Sequence, residues 1–256
     1  MKLKTNSYII CSTPRTGSTL LCDLLASTKV AGNPDSFFMR DVDPVWTERW
    51  GLPDRGDQSD ADRSRAYLAA AINTGRGGTG VFGLRLMRED LGDLIALIDK
   101  VFPGLQSDKA RLRAAFGNVA YIHLARDDKL AQAISVIKAE QTGLWHIAPD
   151  GTELERVGPP KEPEYDFNRI AGKIAQLEGA DAAWSSWFQA EGIEPFLIEY
   201  EKFSADPATF VAHICRALGV TEPASESLRP SVAKLSDGIS SEWVRRYRED
   251  CRRSGP

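Results

Sequence analysis

Short apolar runs alternate along the chain with longer stretches of helical period. Tyr8 to Cys11 is a four-residue apolar run. A polar turn holding Pro14 and Gly17 follows, and then Leu20, Leu21, Leu24 and Leu25 recur on one helical face. The same alternation continues downstream. Val81 to Met87 reads as a strand, and Glu89 to Phe102 as a helix with Leu94, Leu97, Ile98 and Val101 on one face, stopped at Pro103-Gly104. Val119 to Leu124 is the clearest central strand, and it leads into a helix through Ala131, Ile134 and Ile137. Pro195 to Tyr200 is a further buried strand, and Asp206-Pro207 caps and opens a helix ending at Gly219. Between these lie a two-residue strand at Val30-Ala31, a short helix at Pro44–Trp50 and a helix at Ala61–Ile72. Thr74–Gly80 reads as a glycine-rich connector, Ser107–Phe116 as a short helix or loop, and Asp166–Ala190 as a long helix. Residues 51–60 are a polar loop, and residues 220–256 a polar loop followed by a helix around Trp243–Arg248. Residues 148–165 hold Pro149, Gly151, Gly158, Pro159, Pro160 and Pro163 and predict a long loop, a candidate lid.

This order predicts an α/β fold, a parallel sheet of about five strands with helices on both faces. One domain spanning 1–256 is expected, with loop 148–165 as its lid and a basic C-terminal helix at 240–253. The net charge of −4 gives no footprint for a nucleic-acid partner, and no apolar segment is long enough to span a bilayer. Cys11, Cys22, Cys215 and Cys251 make no C-x-x-C pair and have no histidine at ligand spacing. They read as buried thiols in a reducing cytoplasm, and no metal site is expected. His123 lies inside a strand and reads as a core histidine. Trp46 and Trp50 read as core aromatics, with stacking on a flat ligand as the minority alternative.

Chemistry concentrates at the first turn. A strand, a tight polar loop and a helix N-terminus make an anion site, because the first helical N–H groups lack intrahelical partners and the helix dipole favours negative charge. A G-x-x-x-x-G-K-[ST] pattern laid over residues 12–19 puts Ser12 at the first glycine, Ser18 at the lysine and Thr19 at the hydroxyl. The cation sits inside the loop instead, at Arg15. The loop is P-loop-like but departs from an ordinary ATPase. The strand ending at Leu124 repeats the arrangement with Ala125-Arg126-Asp127-Asp128. Both loops follow parallel strands, so both are expected on one sheet edge. Whether Ser135 reaches a ligand together with Arg126 depends on how its helix is oriented. Arg85, near the end of its strand, faces that crevice or sits in a structural ion pair.

The stretch Tyr8-Ile-Ile-Cys-Ser-Thr-Pro-Arg-Thr-Gly-Ser-Thr-Leu-Leu resembles the 5′-phosphosulfate loop of PAPS-dependent sulfotransferases. The resemblance is greatest to the bacterial trehalose 2-sulfotransferase family, whose relatives include Nod-factor sulfotransferases. It extends through Val30-Ala-Gly with Phe37-Phe38, Val81–Met87, Ile122-His-Leu-Ala-Arg126 with Gln132 and Ser135, Gln141-Thr with Trp145, Ile198-Glu-Tyr-Glu, and Ser241-Glu-Trp-Val with Arg246-Tyr-Arg248. It implies that Arg15, Thr16, Gly17, Ser18 and Thr19 hold a 5′-phosphosulfate, and that Arg126 and Ser135 hold the 3′-phosphate of PAPS (3′-phosphoadenosine 5′-phosphosulfate). It implies a sulfuryl transfer that needs no metal, with Arg15 neutralising charge at the reacting centre. The expected partner is a small-molecule hydroxyl acceptor, of carbohydrate type, and a homodimer is the oligomer considered.

The acceptor side departs from the family pattern. The family glutamate that serves as general base is Ser36 here, and a serine cannot take that role unaided. Asp35 is the nearest carboxylate and the candidate base, with His146 or solvent as the alternative destination of the proton. Pro14, Asn33, Asp35, Ser36 and Phe37 are the acceptor-side positions, with Phe37, Phe38 and Met39 packing beneath them. Pro14 replaces a family glutamine, and Arg85 a family lysine. Two other readings remain: a relative that binds the nucleotide without turnover, and a phosphotransferase with a degenerate Walker loop.

Overall fold

The structure is a computed structural model and describes residues 6–39, 42–53, 59–224, 228, 232, 233, 235 and 237–253. Parts of the expected loops 51–60 and 220–237 lie outside the described residues. The elements in chain order are β1 (Ser7–Ser12), α1 (Ser18–Ser27), α2 (Pro44–Arg49), α3 (Asp60–Arg76), β2 (Phe82–Met87), α4 (Leu91–Val101), α5 (Asp108–Phe116), β3 (Val119–Ala125) and α6 (Lys129–Thr142). They continue as β4 (Leu144–Ile147), β5 (Glu153–Arg156), α7 (Phe167–Ala190), β6 (Phe196–Glu199), α8 (Tyr200–Ala205), α9 (Pro207–Leu218) and α10 (Gly238–Arg253).

Strands β2-β1-β3-β6 form one parallel sheet, with Ser12 paired to both Met87 and Leu124. The carboxyl ends of these strands therefore share one edge. Alternation along β1 sends Ile9 and Cys11 to one face and Tyr8 and Ile10 to the other. The first face packs on α3, α4, α5 and α7 through residues such as Tyr67, Leu94, Leu112 and Trp184. The second packs on α1, α8 and α9 through Leu21, Leu25, Phe203 and Ile214. A smaller cluster, Ile134, Ile137, Ile170 and Trp243, joins α6, α7 and α10.

Several local expectations change. Val30-Ala31 is not a strand. Thr28 Oγ1 accepts from the N–H of both residues, which turns the chain there. Pairing beside β2 comes later instead, as a single parallel bridge between Asp35 and Leu84. Helix α3 runs through the expected connector to Arg76, because Gly75 lies against β2. A Cβ there would come within 2.5 Å of Phe82 and 2.8 Å of the Gly83 carbonyl oxygen. Residues 148–165 are not one long loop. Glu153–Arg156 pairs antiparallel with Leu144–Ile147 as a hairpin. Its polar, exposed sequence carries no apolar run by which to read it. Met39 is half exposed rather than packed, and Cys251 is exposed, whereas the other three thiols are buried.

Candidate active site

The site stands where β1, β2 and β3 end. Gly17 is the N-cap of α1 with φ 82°, and a Cβ there would lie 2.7 Å from the Tyr200 ring. Glycine is therefore required both by its backbone angle and by the close approach of α8. Arg15 also takes a positive φ, 64°, a strained angle for a residue with a long side chain.

The loop is held from behind. Gln132 Nε2, fully buried on α6, donates to the Pro14 carbonyl at 2.7 Å and to Thr13 Oγ1 at 3.0 Å. Trp184 Nε1 on α7 donates to the Ser12 carbonyl at 3.0 Å. Arg126 Nη1 donates to the Arg15 carbonyl at 3.2 Å, which ties the two arginine loops together. Thr16 Oγ1 donates to the Thr13 carbonyl, so the Thr16 side chain faces the protein and leaves only its backbone N–H for a ligand.

Three positions expected at the donor end are brought together. Arg15 Nε donates to Ser135 Oγ at 3.0 Å and Nη1 to the Trp145 carbonyl at 2.6 Å. Helix α6 is thus phased to aim Ser135 at the loop. Arg126 stacks over the Tyr200 ring at 4.7 Å, and its Nε lies 4.0 Å from Glu201 Oε1. That Nε is buried and makes no hydrogen bond. A buried guanidinium N–H left in this state costs free energy that an anion would recover. Burial, and then the neighbouring Arg126, lower the pKa of Arg15 from its ordinary value. A bound anion would relieve both effects. Beside Ser135 opens a cavity of about 230 Å³, lined also by Lys138, Leu144, Arg156 and Lys161.

The other half of the crevice is centred on Arg85. Its Nη1 donates to Thr19 Oγ1 at 2.6 Å, its Nε donates to Ser36 Oγ at 2.8 Å, and its Nη2 lies 3.5 Å from Asp35 Oδ1. Arg85 is therefore both a crevice residue and a member of an ion pair. The same Asp35 oxygen accepts from the Ser36 N–H at 2.7 Å. Asn33 is exposed, and its N–H donates to the Gly75 carbonyl near the end of α3 at 2.7 Å. Phe37 does not reach the crevice. It is fully buried between Trp46, Trp50 and Phe82, which corrects its assignment to the acceptor side. The Trp46–Trp50 pair belongs to that aromatic core, and Trp46 Nε1 donates to the Ser36 carbonyl at 2.8 Å.

His146 was legible only as one alternative proton acceptor. The structure places its Nε2 3.2 Å from Thr19 Oγ1. Burial, then Arg15 and Arg85, pull its pKa down to about 4, so the ring is neutral at pH 7. His123 sits in the core against Phe188, far from such a role, and is held neutral mainly by burial. In the basic tail, Arg246 stacks on Tyr165, Arg245 pairs with Glu249, and Arg253 pairs with Asp250.

Comparison with known proteins identifies the family. A family model described as Stf0 sulphotransferase matches residues 7–250. The trehalose 2-sulfotransferase of Mycolicibacterium smegmatis is 29% identical over 278 aligned residues and covers 97% of each chain. That of Mycobacterium tuberculosis is 29% identical over 270, covering 97% of this chain and 96% of its own. Among solved structures, the sulfotransferase domain from the curacin biosynthetic pathway shares the fold, with a TM-score of 0.51 at 17% identity over 95% of this chain and 83% of that one. A match running the length of the sheet and its loops places this chain in the Stf0 sulphotransferase family, and it is a sulfotransferase.

Proposed function

We propose that the protein transfers a sulfuryl group from PAPS to a hydroxyl of a small molecule of carbohydrate type. The observation that carries this reading is the convergence of Arg15, Ser135 and Arg126 at the head of α1. It would supply two anion positions, one for a 5′-phosphosulfate and one for a 3′-phosphate. The residues present fit such a donor. The backbone N–H groups of Thr16, Gly17, Ser18 and Thr19 and the Arg15 guanidinium would hold the phosphosulfate. Arg126, whose Nε makes no hydrogen bond, and Ser135 would hold the 3′-phosphate. When bound, PAPS supplies an activated sulfuryl group. The chain's share of the catalysis is positioning and charge stabilisation, as in phosphoryl transfer. Arg15 and Arg85 flank the point where negative charge develops. Asp35, half exposed and fixed by Arg85 and the Ser36 N–H, would orient the acceptor.

The two trehalose 2-sulfotransferases support a sugar-like acceptor. The replacements at Pro14 and Ser36 argue for one other than trehalose. The test is a screen of hydroxyl acceptors with sulfur-labelled PAPS. Label transferred to a carbohydrate hydroxyl is the expected result. Tight binding of 3′-phosphoadenosine 5′-phosphate (PAP) without turnover on any acceptor would contradict it, and would favour a relative that keeps the nucleotide site and has lost catalysis.

A further inference from the structure

The position where the family carries its glutamate is filled by Ser36, whose hydroxyl accepts from Arg85. Asp35 beside it is engaged by Arg85 and the Ser36 N–H. A proton acceptor is therefore best sought on the other side of the Arg85 guanidinium, around Thr19. His146 stands there, carried on β4 over the loop, with Nε2 3.2 Å from Thr19 Oγ1. Arg85 already donates to that oxygen at 2.6 Å, and with the ring proton on Nδ1 the Thr19 hydroxyl donates to Nε2. Nε2 then carries the lone pair, and Nδ1 the proton.

Charged groups face the ring from each neighbouring element: Arg15 from the loop, Arg85 from β2, and Glu155 from β5 at 3.5 Å. Glu155 is half exposed, and the two arginines and burial outweigh it. A phosphosulfate held at Arg15 and Thr19 would draw the Thr19 hydroxyl away from Nε2. It would also cancel part of the positive field that suppresses the ring's basicity.

Resting on the sulfotransferase reading above, we propose that His146 takes the acceptor's proton and becomes an effective base only when the donor is in place. In this step the acceptor oxygen forms a bond to sulfur. The bond from sulfur to the bridging phosphate oxygen breaks, with its electron pair passing to that oxygen. The hydroxyl proton moves to His146 Nε2, and from the imidazolium to solvent after product leaves. Donor-dependent basicity would keep the histidine from acting before the nucleotide is seated.

The test begins with PAP binding to the wild-type protein by calorimetry. Failure to bind would overturn the donor reading and this proposal with it. NMR then follows the three histidines, His123, His146 and His213, through a pH titration. In the free protein His146 should titrate near 4, and saturating PAP should move it upward toward 6.5. Turnover is read as labelled sulfate leaving PAPS for water or glycerol. His146→Gln should keep PAP affinity within about threefold and lose about 10²–10⁴-fold in rate, the worth of a general base. The rising acid limb of the pH profile should vanish with it. Added imidazole should restore part of the rate to His146→Ala. A His146 that titrates near 6.5 and ignores PAP overturns the proposal, as does His146→Gln with the wild-type rate and pH profile.

Discussion

The two halves of the crevice are built differently. On the donor half, the loop is tied down by groups distant in sequence: Gln132 on α6, Trp184 on α7 and Arg126 after β3. These contacts come from buried or partly buried side chains, so the loop inherits the rigidity of the core. On the acceptor half, Asp35 and Ser36 are held by the Ser36 N–H bond to the Asp35 carboxylate, by Arg85 through its side chain and its N–H, and by Trp46 Nε1 on the Ser36 carbonyl. Asn33 is exposed, and the Asp35 side chain is about half exposed, at 45%. A buried, cross-braced loop resists substitution, because each change strands a buried partner at about 1–3 kcal/mol. A half-exposed rim does not. The donor half can thus stay fixed within a family while the exposed part of the acceptor half, the Asp35 carboxylate, is free to change.

The comparison can be broken in three places. The largest effect is expected at the donor loop. Arg15→Ala should lower turnover by about 10²–10³-fold, the cost of removing one preorganised charge-stabilising donor. Because Arg15 also binds Ser135 Oγ and the Trp145 carbonyl, PAP affinity should fall as well. Stopped-flow and calorimetry separate the two effects, and a loss confined to acceptor KM would place Arg15 on the wrong half. On the acceptor half, Asp35→Asn should raise the acceptor KM by about tenfold, the scale of one hydrogen bond to a charged group. PAP affinity and the acid limb of the pH profile should stay unchanged. Loss of that limb would make Asp35 the base in place of His146.

The smallest effect is on stability. Asp90 follows β2 at the edge of the acceptor half. Its pKa is raised to about 7, first by burial and then by Glu89 and Asp93, with Arg85 opposing. A native pKa above the unfolded one means that the folded state holds a proton the unfolded state releases. Stability from this group is then present at low pH and lost as pH rises from about 4 through 7. Asp90→Asn should raise the melting temperature at pH 7.5 by about 2–4 °C and leave it unchanged at pH 4. An equal shift at both pH values would assign the effect to helix capping instead.

Periodicity made most of the sheet legible, because β1, β2 and β3 are largely buried and carry apolar runs that a sequence displays directly. β5 was hidden for the opposite reason: Glu-Leu-Glu-Arg has no apolar face, and its pairing is fixed by the partner strand. The shared edge of the two arginine loops followed from parallel strands alone. That Ser135 meets Arg15 did not, because it depends on the rotational phase of α6, which Gln132 sets by anchoring to Pro14. Phe37 was misplaced because neighbours Ser36 and Phe37 point to opposite sides of one short segment, and only the packed aromatic cluster shows which side is core. His146 is readable in the sequence only as one alternative destination for the proton. A lone histidine between Trp145 and Ile147 gains meaning only when the hairpin sets it against Thr19.

The most direct measurement of the central claim is a calorimetric comparison of PAP, adenosine 5′-phosphosulfate and ATP on the wild-type protein and on Arg126→Ala. PAP should bind the wild type more tightly than ATP does. Arg126→Ala should weaken PAP by about 10–100-fold, the value of a charge-assisted contact, and adenosine 5′-phosphosulfate much less. Tighter binding of ATP than of PAP, or an equal loss for both adenosine ligands, would contradict the account.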